Sequence, residues 1–554
     1  MKFLLVMFLN ISFLNANDVY LKGMKDEIER NTKNLVMEGF SAPYFLAYTN
    51  YDNDYCEVSL SFGDVEYKTD DRMNVVKSEV RVGNRKFDSS NYAGDLNKYT
   101  PYYSYLPQEP DYDAIRQSLW YLTDEAYKNA IDLYSKKEGY RKNKDIKEIY
   151  DEISNSPKVE YSQKGEKFKK NCSKYEKILK EISALSKKYD KIKSSSVRFY
   201  HSYETKRYAN SEKSSFITSY PIYSVSITVE IMDKNGFVKK TDKKFIFDSD
   251  KYINEALVKK ADSFLKEVSD TYNSEVLDYY LGPAVFEEDA AGEFFNNLFV
   301  RNISFYPPVE TDKEEYLKYY YDVPKLVDRI GKRVISGFID IYDDPTVKEY
   351  EGEYLAGNYY IDDEAVMVKK LNLVENGVLK NIYASRRPNK YSSQSNGHAR
   401  GGYYMYNYPM SGNVFVNSKK TLKYEELISE AKKMAKEQNM DNILIVRKLS
   451  SSYTDDVLGE PSVAYLLDIN TGEKKYISDS KFEGMGLRSL RDIVYTEDRK
   501  YVYNFEQKGP FYNSQSVNSS IIAPKSILIN EIELIKSDKK PDKKPYVPHP
   551  YFNK

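Results

Sequence analysis

Histidine is nearly absent. The 554-residue chain holds three, His201, His398 and His549, and no two stand at helical spacing. A zinc site of the HExxH type needs two imidazoles on one helix face, and no such constellation exists here. Cysteine is just as scarce. Cys56 and Cys172 alone exclude a disulfide-stapled scaffold and a thiolate zinc cluster. Far apart in sequence, they are expected as two buried, inert thiols, although an oxidising compartment would let them pair. An excess of one charge is missing too, with 83 Lys and Arg against 84 Asp and Glu. A partnership with nucleic acid or an anionic membrane surface therefore has no electrostatic footprint. No stretch past the N-terminus approaches the roughly 20 apolar residues of a transmembrane helix. GxSxG, P-loop and dinucleotide-binding glycine patterns are absent as well.

What the chain has in quantity is aromatic surface, with 55 Tyr and 25 Phe. That is ample for a sizeable core in a chain long enough for two or three domains. Tyrosine suits half-buried strands, where one end of the ring is apolar and the other bonds water. A carbohydrate- or peptide-contacting surface is the lesser reading, because aromatic residues are usually core. The opening MKFLLVMFLNISFLNAND places Lys2 before an apolar run at 3–14 and small Ala16. This is the pattern of a secretory signal peptide, residues 1–16, with an uncleaved anchor as the other reading. No cysteine follows it, so a lipoprotein is not expected. The protein is expected to be exported, to a periplasm or beyond the cell.

The pattern along the chain predicts an α+β fold. An N-terminal α+β domain spans 17–110: an amphipathic helix at 18–37 (Leu21, Met24, Ile28, Leu35), two strands within 44–67, another at 78–87, then a Pro/Tyr-rich loop. A helix-plus-strand middle region spans 111–281. Asp111 to Asp113 cap a helix running to about Lys137. A second long helix at 161–189 carries a stripe of Phe168, Cys172, Tyr175, Leu179, Ile182 and Leu185. Strands at 197–203, 223–232 and 243–247 and a helix at 253–277 follow. From Gly282-Pro283, residues 282–536 form a C-terminal domain dominated by antiparallel strands, with a helix at 423–438 and strands at 442–449 and 462–469. The Pro/Lys-rich tail, 537–554, is expected to be extended or disordered.

Residues 331–402 organise the C-terminal half. Strands at 334–341 and 366–374 are separated by Asp343-Asp344-Pro345 turn chemistry, and Glu375-Asn376-Gly377 is a strong hairpin signal. The stretch ends in Ser395-Asn396-Gly397-His398-Ala399-Arg400-Gly401-Gly402. YDDPT, the IDDEAV–LVENGVLK hairpin and SNGHARGG, together with FEGMGLRSLRDIV at 482–494 and IAPKS at 522–526, resemble the TldD/PmbA group of metallopeptidases. PYFLAYT and EVRVGNRKFD resemble the N-terminal domain of that family in a secreted branch.

The resemblance implies a helix carrying two zinc-binding histidines around a general-base glutamate. It places these positions on Val285 to Glu293. Glu288 falls on the general base, while the histidine positions become Glu287 and Gly292. The third ligand, a cysteine, would fall within GEPSVA at 459–464, where there is none. No cofactor is therefore predicted, unless zinc is held in a relocated site. Two acidic clusters, Glu287 to Asp289 and Asp362 to Glu364, could offer oxygen ligands, but they are read as a helix N-terminus and a polar turn. His398 and Arg400 are either a substrate-contacting pair, Arg400 binding a peptide carboxylate or carbonyl, or a glycine-enabled structural loop. The function implied is that of a non-catalytic subunit of the PmbA type. It would bind peptide or unfolded polypeptide, with a TldD-like homologue as hetero-oligomer partner. The alternative is an active metallopeptidase with a carboxylate-based metal.

Overall fold

The structure is a computed structural model describing residues 18–96, 99–144, 146, 150–163, 170–317, 324–450, 458–509, 515–538 and 540. The signal-peptide reading, Phe168, His549 and nearly all of the tail lie outside these residues. The class is α+β, as the pattern predicts.

Helix α1 (Val19–Asn34) starts where the Asp18 carboxylate accepts the Leu21 amide at 2.9 Å. A long hairpin follows, β1 (Phe45–Ser61) and β2 (Asp64–Arg81). Helix α2 (Tyr112–Lys144) runs past the predicted end. Lys137 is not a solvated terminus: its ammonium is fully buried against Glu152 at 2.6 Å. Of the long helix expected at 161–189, the described residues form a helical run over 172–188: helix α3 (Glu176–Ala184) between 3-10 turns at Cys172–Tyr175 and Leu185–Lys188. Residues Glu160–Gln163 form a strand parallel to 215–218 instead, and Asn171 caps a short 3-10 turn at Cys172–Tyr175. Then come β3 (Ile192–Asn210), β4 (Ser215–Met232), β5 (Val238–Phe247) and helix α4 (Glu255–Asp270).

Strands from both sides of residue 110 join one seven-stranded sheet, Tyr102–Tyr105, β2, β1, β3 and β4, with β5 and Glu160–Gln163 both on the far side of β4. The N-terminal and middle regions thus share one sheet. Its strands alternate strictly. Leu46, Tyr48, Val58, Val197, Phe199 and Ala209 face the four helices, and Phe45, Ala47 and Tyr208 face the C-terminal domain. Cys56 and His201 are directly opposed in register on the helix-facing side. There the two cysteines are not free thiols: Cys56 and Cys172 form a disulfide across 116 residues, with Cα atoms 6.1 Å apart. The 3-10 turn carrying Cys172 docks over β1, which is what brings the sulfurs together. Burial pushes the pKa of His201 down to about 4.

The C-terminal domain begins with β6 (Tyr279–Glu287) and α5 (Asp289–Phe295), whose helical run continues to Ile303. Two sheets enclose that run. One contains β6 beside β10 (Asn442–Leu449), β11 (Pro461–Asp468) and β14 (Ser526–Lys536). The other contains β7 (Ile339–Asp343), β8 (Leu371–Glu375), β9 (Asn413–Ser418), β13 (Ser516–Pro524) and, at its edge, β12 (Lys500–Lys508). Phe294, Phe295, Leu298 and Phe299 are fully buried between them, each contributing about 1.5–3 kcal/mol by leaving water. Helix α6 (Tyr424–Glu437) covers the outer face of the first sheet through Leu427, Ala431 and Ala435. The Asn376-Gly377 turn takes the positive φ at both positions that its sequence predicts, 49° and 75°.

Candidate functional site

Between the N-terminal sheet and the C-terminal domain lies a cleft of about 1680 Å³. That exceeds the ~300–1,000 Å³ typical of small-molecule pockets. Its walls are two strands that each end a sheet. β5 supplies 240–247 from one side and β12 supplies 500–508 from the other, with α4 and the start of α5 closing one end. Two side-chain bridges join β5 to β12 across it: Lys243 to the Tyr501 hydroxyl at 2.9 Å, and Lys244 to Glu506.

The predicted general-base position sits in this wall. Glu287 ends β6, Glu288 is the N-cap and Asp289 opens α5, so the cluster stands at a helix N-terminus as the sequence reads, while 285–287, which the resemblance places on the zinc helix, are strand. Glu288 turns the corner with φ 50° and ψ −112°. A side chain there strains the backbone by about 1–3 kcal/mol, and the Glu288 amide donates to the Lys525 carbonyl at 2.7 Å. β6 and β10 run parallel with Phe286 opposite Val446, which delivers Arg447 and Lys448 to the acidic corner. Arg447 bridges three carboxylates, Glu267 at 2.6 Å, Glu288 at 2.8 Å and Glu287 at 2.9 Å. Lys448 reaches Glu293 at 2.9 Å and Asp289 at 3.3 Å, Lys243 reaches Asp289 at 2.5 Å, and Lys525 reaches Glu288 at 3.1 Å.

Burial opposes ionisation at Glu287, Glu288, Asp289 and Glu293, and the partners decide the outcome. At Glu288, Arg447 and Lys525 overcome burial and hold the carboxyl below its ordinary range. At Asp289, Lys243 and Lys448 do the same. At Glu287 burial wins over Arg447 and Tyr424, so its pKa rises. At Glu293 burial, helped by Asp289, outweighs Lys448 and lifts the pKa to about 7. A carboxylate clamped by two cations is a poor general base, because each ion pair must weaken before it accepts a proton.

The residues at the family's zinc positions do not fit the metal. Glu287 already accepts from Tyr424 at 2.8 Å and Arg447 at 2.9 Å. Gly292 offers no donor, and a Cβ there would lie 2.5 Å from Cβ and Cγ of Tyr503, so that ring fills the space a ligand would need. In 459–464, Ser462 and Val463 line the cleft, and no thiol is present. Among the described residues, one trio of His, Cys, Asp or Glu draws its donor atoms together at metal-binding spacing, and it consists of Cys56, Cys172 and His201, in the N-terminal sheet.

His398 and Arg400 are placed elsewhere; neither lines the cleft. His398 is fully buried, its Nδ1 3.0 Å from the Asn396 carbonyl and its Nε2 3.9 Å from Asp343, against the Tyr383 ring. Arg400 stacks over Tyr359 at 4.2 Å. Their loop is anchored by the second acidic cluster, which is no exposed polar turn. Asp362 accepts the Ala399 amide at 3.1 Å, and Asp363 accepts the Gly401 amide at 2.8 Å and pairs with Lys206 at 2.9 Å. Lys77 of β2 donates to the carbonyls of Gly402 and Met405, at 3.0 and 3.1 Å. The glycine-rich loop thus joins the C-terminal domain to the N-terminal sheet.

Residues 281–536 match the model of the PmbA/TldA metallopeptidase C-terminal domain. Metalloprotease MJ0996 of Methanocaldococcus jannaschii is 42% identical over 59 residues, a stretch that is 11% of this chain and 12% of that protein. Over the full fold, TldE from Thermococcus kodakarensis superposes with a TM-score of 0.59 at 15% identity, covering 92% of this chain and 99% of that one. A candidate modulator of a DNA gyrase (TM0727) from Thermotoga maritima gives 0.58 at 16% identity, covering 93% and 99%. At these identities the likeness shows a shared fold over nearly the whole chain. The pairing of Glu288 with Arg447 and Lys525, and of Asp289 with Lys243 and Lys448, has no local sequence signal. Arg447 stands 159 residues downstream of Glu288 and Lys243 stands 46 upstream of Asp289, in stretches that read as ordinary polar alternation.

Proposed function

We propose that this chain is an exported, non-catalytic TldD/PmbA-type protein that holds extended polypeptide in the cleft between β5 and β12, as partner to a zinc-bearing homologue. The observation that carries the reading is a cleft of about 1680 Å³, larger than a small molecule needs, walled by two strands that each end a sheet. An edge strand presents backbone amides and carbonyls without a ladder partner, and a peptide strand satisfies them regardless of its sequence. The acidic corner that would anchor a catalytic metal is neutralised by guanidinium and ammonium groups, which favours binding over hydrolysis. The TldE fold likeness supports the partner role, and a disulfide supports an oxidising compartment. No helix among the described residues is long and apolar enough to cross a membrane.

Hydrogen exchange of the purified protein, with and without a reduced, unfolded polypeptide, tests this. Amides of 240–247 and 500–508 are expected to gain protection while the buried strand β13 stays unchanged. Unaltered exchange at both edges would refute the binding mode. Stoichiometric zinc that disappears in Glu288→Ala together with peptide cleavage would restore an enzyme.

A further inference from the structure

The trio in the N-terminal sheet has no part in the cleft. We propose that Cys56, Cys172 and His201 form a redox-gated site for a thiophilic divalent cation of the zinc class, closed as the disulfide and opened by a dithiol reductant.

Three separate segments converge there. Cys56 of β1 and His201 of β3 are direct partners in the antiparallel register, so both side chains leave the same face of the sheet at one level. Cys172 comes down on them from the first residue of the 3-10 turn, Cys172–Tyr175. One donor atom from each residue lies within 4.8 Å of the other two. Two thiolates and one imidazole are the ligand set that zinc prefers, with the fourth tetrahedral position left for water or an incoming ligand. Tetrahedral zinc sets sulfur atoms about 3.7 Å apart at ordinary Zn–S lengths, a spacing the two sulfurs reach by side-chain rotation once their bond is cut.

The surroundings keep the histidine in place whichever state the sulfurs are in. Its ring stacks on Tyr223 with centroids 4.2 Å apart and meets the edge of Tyr175 at 5.7 Å. An aromatic box of this kind orients a ligand before the metal arrives, which lowers the entropy cost of binding. Cys56 and His201 are buried, whereas Cys172 is partly exposed. A reductant therefore has its approach from the Cys172 side.

The chemistry balances with one named co-reactant. A dithiol gives two electrons and two protons: the Cys56–Cys172 S–S bond breaks, two cysteine thiols form, and the dithiol becomes a disulfide. Metal binding then releases the two thiol protons to solvent as the thiolates coordinate. The tie between the 172–188 segment and the sheet is kept in both states, covalently in one and through the metal in the other.

The test uses the full chain, oxidised and after anaerobic reduction with dithiothreitol and its removal. Titrated with Co²⁺, the reduced protein is expected to bind one equivalent with tetrahedral d–d bands and thiolate-to-cobalt charge transfer, bleached by Zn²⁺; the oxidised protein gives neither. His201→Gln, checked for folding by circular dichroism in the oxidised state, is expected to weaken Zn²⁺ binding at least tenfold in competition with a chromophoric chelator. Reduced wild-type protein that binds no more Co²⁺ than oxidised protein overturns the proposal, whatever the variant does. Equal affinity in His201→Gln removes histidine from the site and overturns it as well.

Discussion

Two acidic triplets of this chain look alike in sequence and do different work. Glu287-Glu288-Asp289 meets side-chain cations, Arg447, Lys448, Lys243 and Lys525, in the wall of an open cleft. Asp362-Asp363-Glu364 meets mainly backbone amides: Glu364, Val366 and Ala399 at Asp362, Gly401 at Asp363, and Arg386 at Glu364. Long flexible cations make a polar surface that rearranges around a guest. Fixed amides make a loop, here the one that carries His398 and Arg400. The partner type, more than the acid itself, separates the wall of a cleft from a structural staple.

The sharpest way to break the first triplet is Arg447→Met, which leaves Glu267, Glu287 and Glu288 without their common cation. Removing one side of a buried ion pair costs about 3–5 kcal/mol, so a large fall in the denaturant midpoint is expected. Adding Glu287→Gln and Glu288→Gln should recover much of it. Gly292→His tests whether the zinc position has room. Overpacking against Tyr503 should cost about 1–3 kcal/mol, and the variant should gain no zinc by mass spectrometry. For the second triplet, Asp363→Asn removes the charge that holds Lys206 and is expected to cost about 1–3 kcal/mol, with faster hydrogen exchange at 399–402. A variant with unchanged exchange there would show that the loop does not depend on its staple.

The second triplet also carries a pH dependence. Burial and the Asp362 charge raise Glu364 from 4.5 to about 8. An acid whose folded pKa is raised contributes stability that is complete below the unfolded value and is lost as pH rises through the folded one. Stability from this group therefore declines between about pH 4.5 and 8. Glu364→Gln cannot ionise, so its melting temperature should fall less than wild type over that window.

Local pattern made part of this legible. The helices at 424–437 and 19–34 follow from apolar residues every three or four positions, and Asn376-Gly377 announces its hairpin. The α+β class follows from the order of such elements. Where the pattern failed, non-local partners had taken over. The stripe at 161–189 has helical spacing, yet parallel pairing with β4 claims its first residues and Asn171 restarts the chain at Cys172. The strand through Glu287 ends only because Glu288 turns with a positive φ, which nothing in VFEEDAAG declares. The candidate site divides the same way. Its carboxylates could be located by resemblance, while Arg447, Lys243 and Tyr503 are brought in by sheet topology. The cysteine pairing likewise needed the register that sets Cys56 beside His201.

The central claim is that the cleft binds extended backbone without a metal. Fluorescence anisotropy of a labelled, unstructured peptide added to the purified protein tests it directly, with and without a chelator, and against the same peptide N-methylated at alternate backbone amides. The account predicts saturable binding that is indifferent to the chelator, leaves the peptide intact and is lost on methylation. Cleavage of the peptide that the chelator abolishes, or binding that methylation does not disturb, would contradict it.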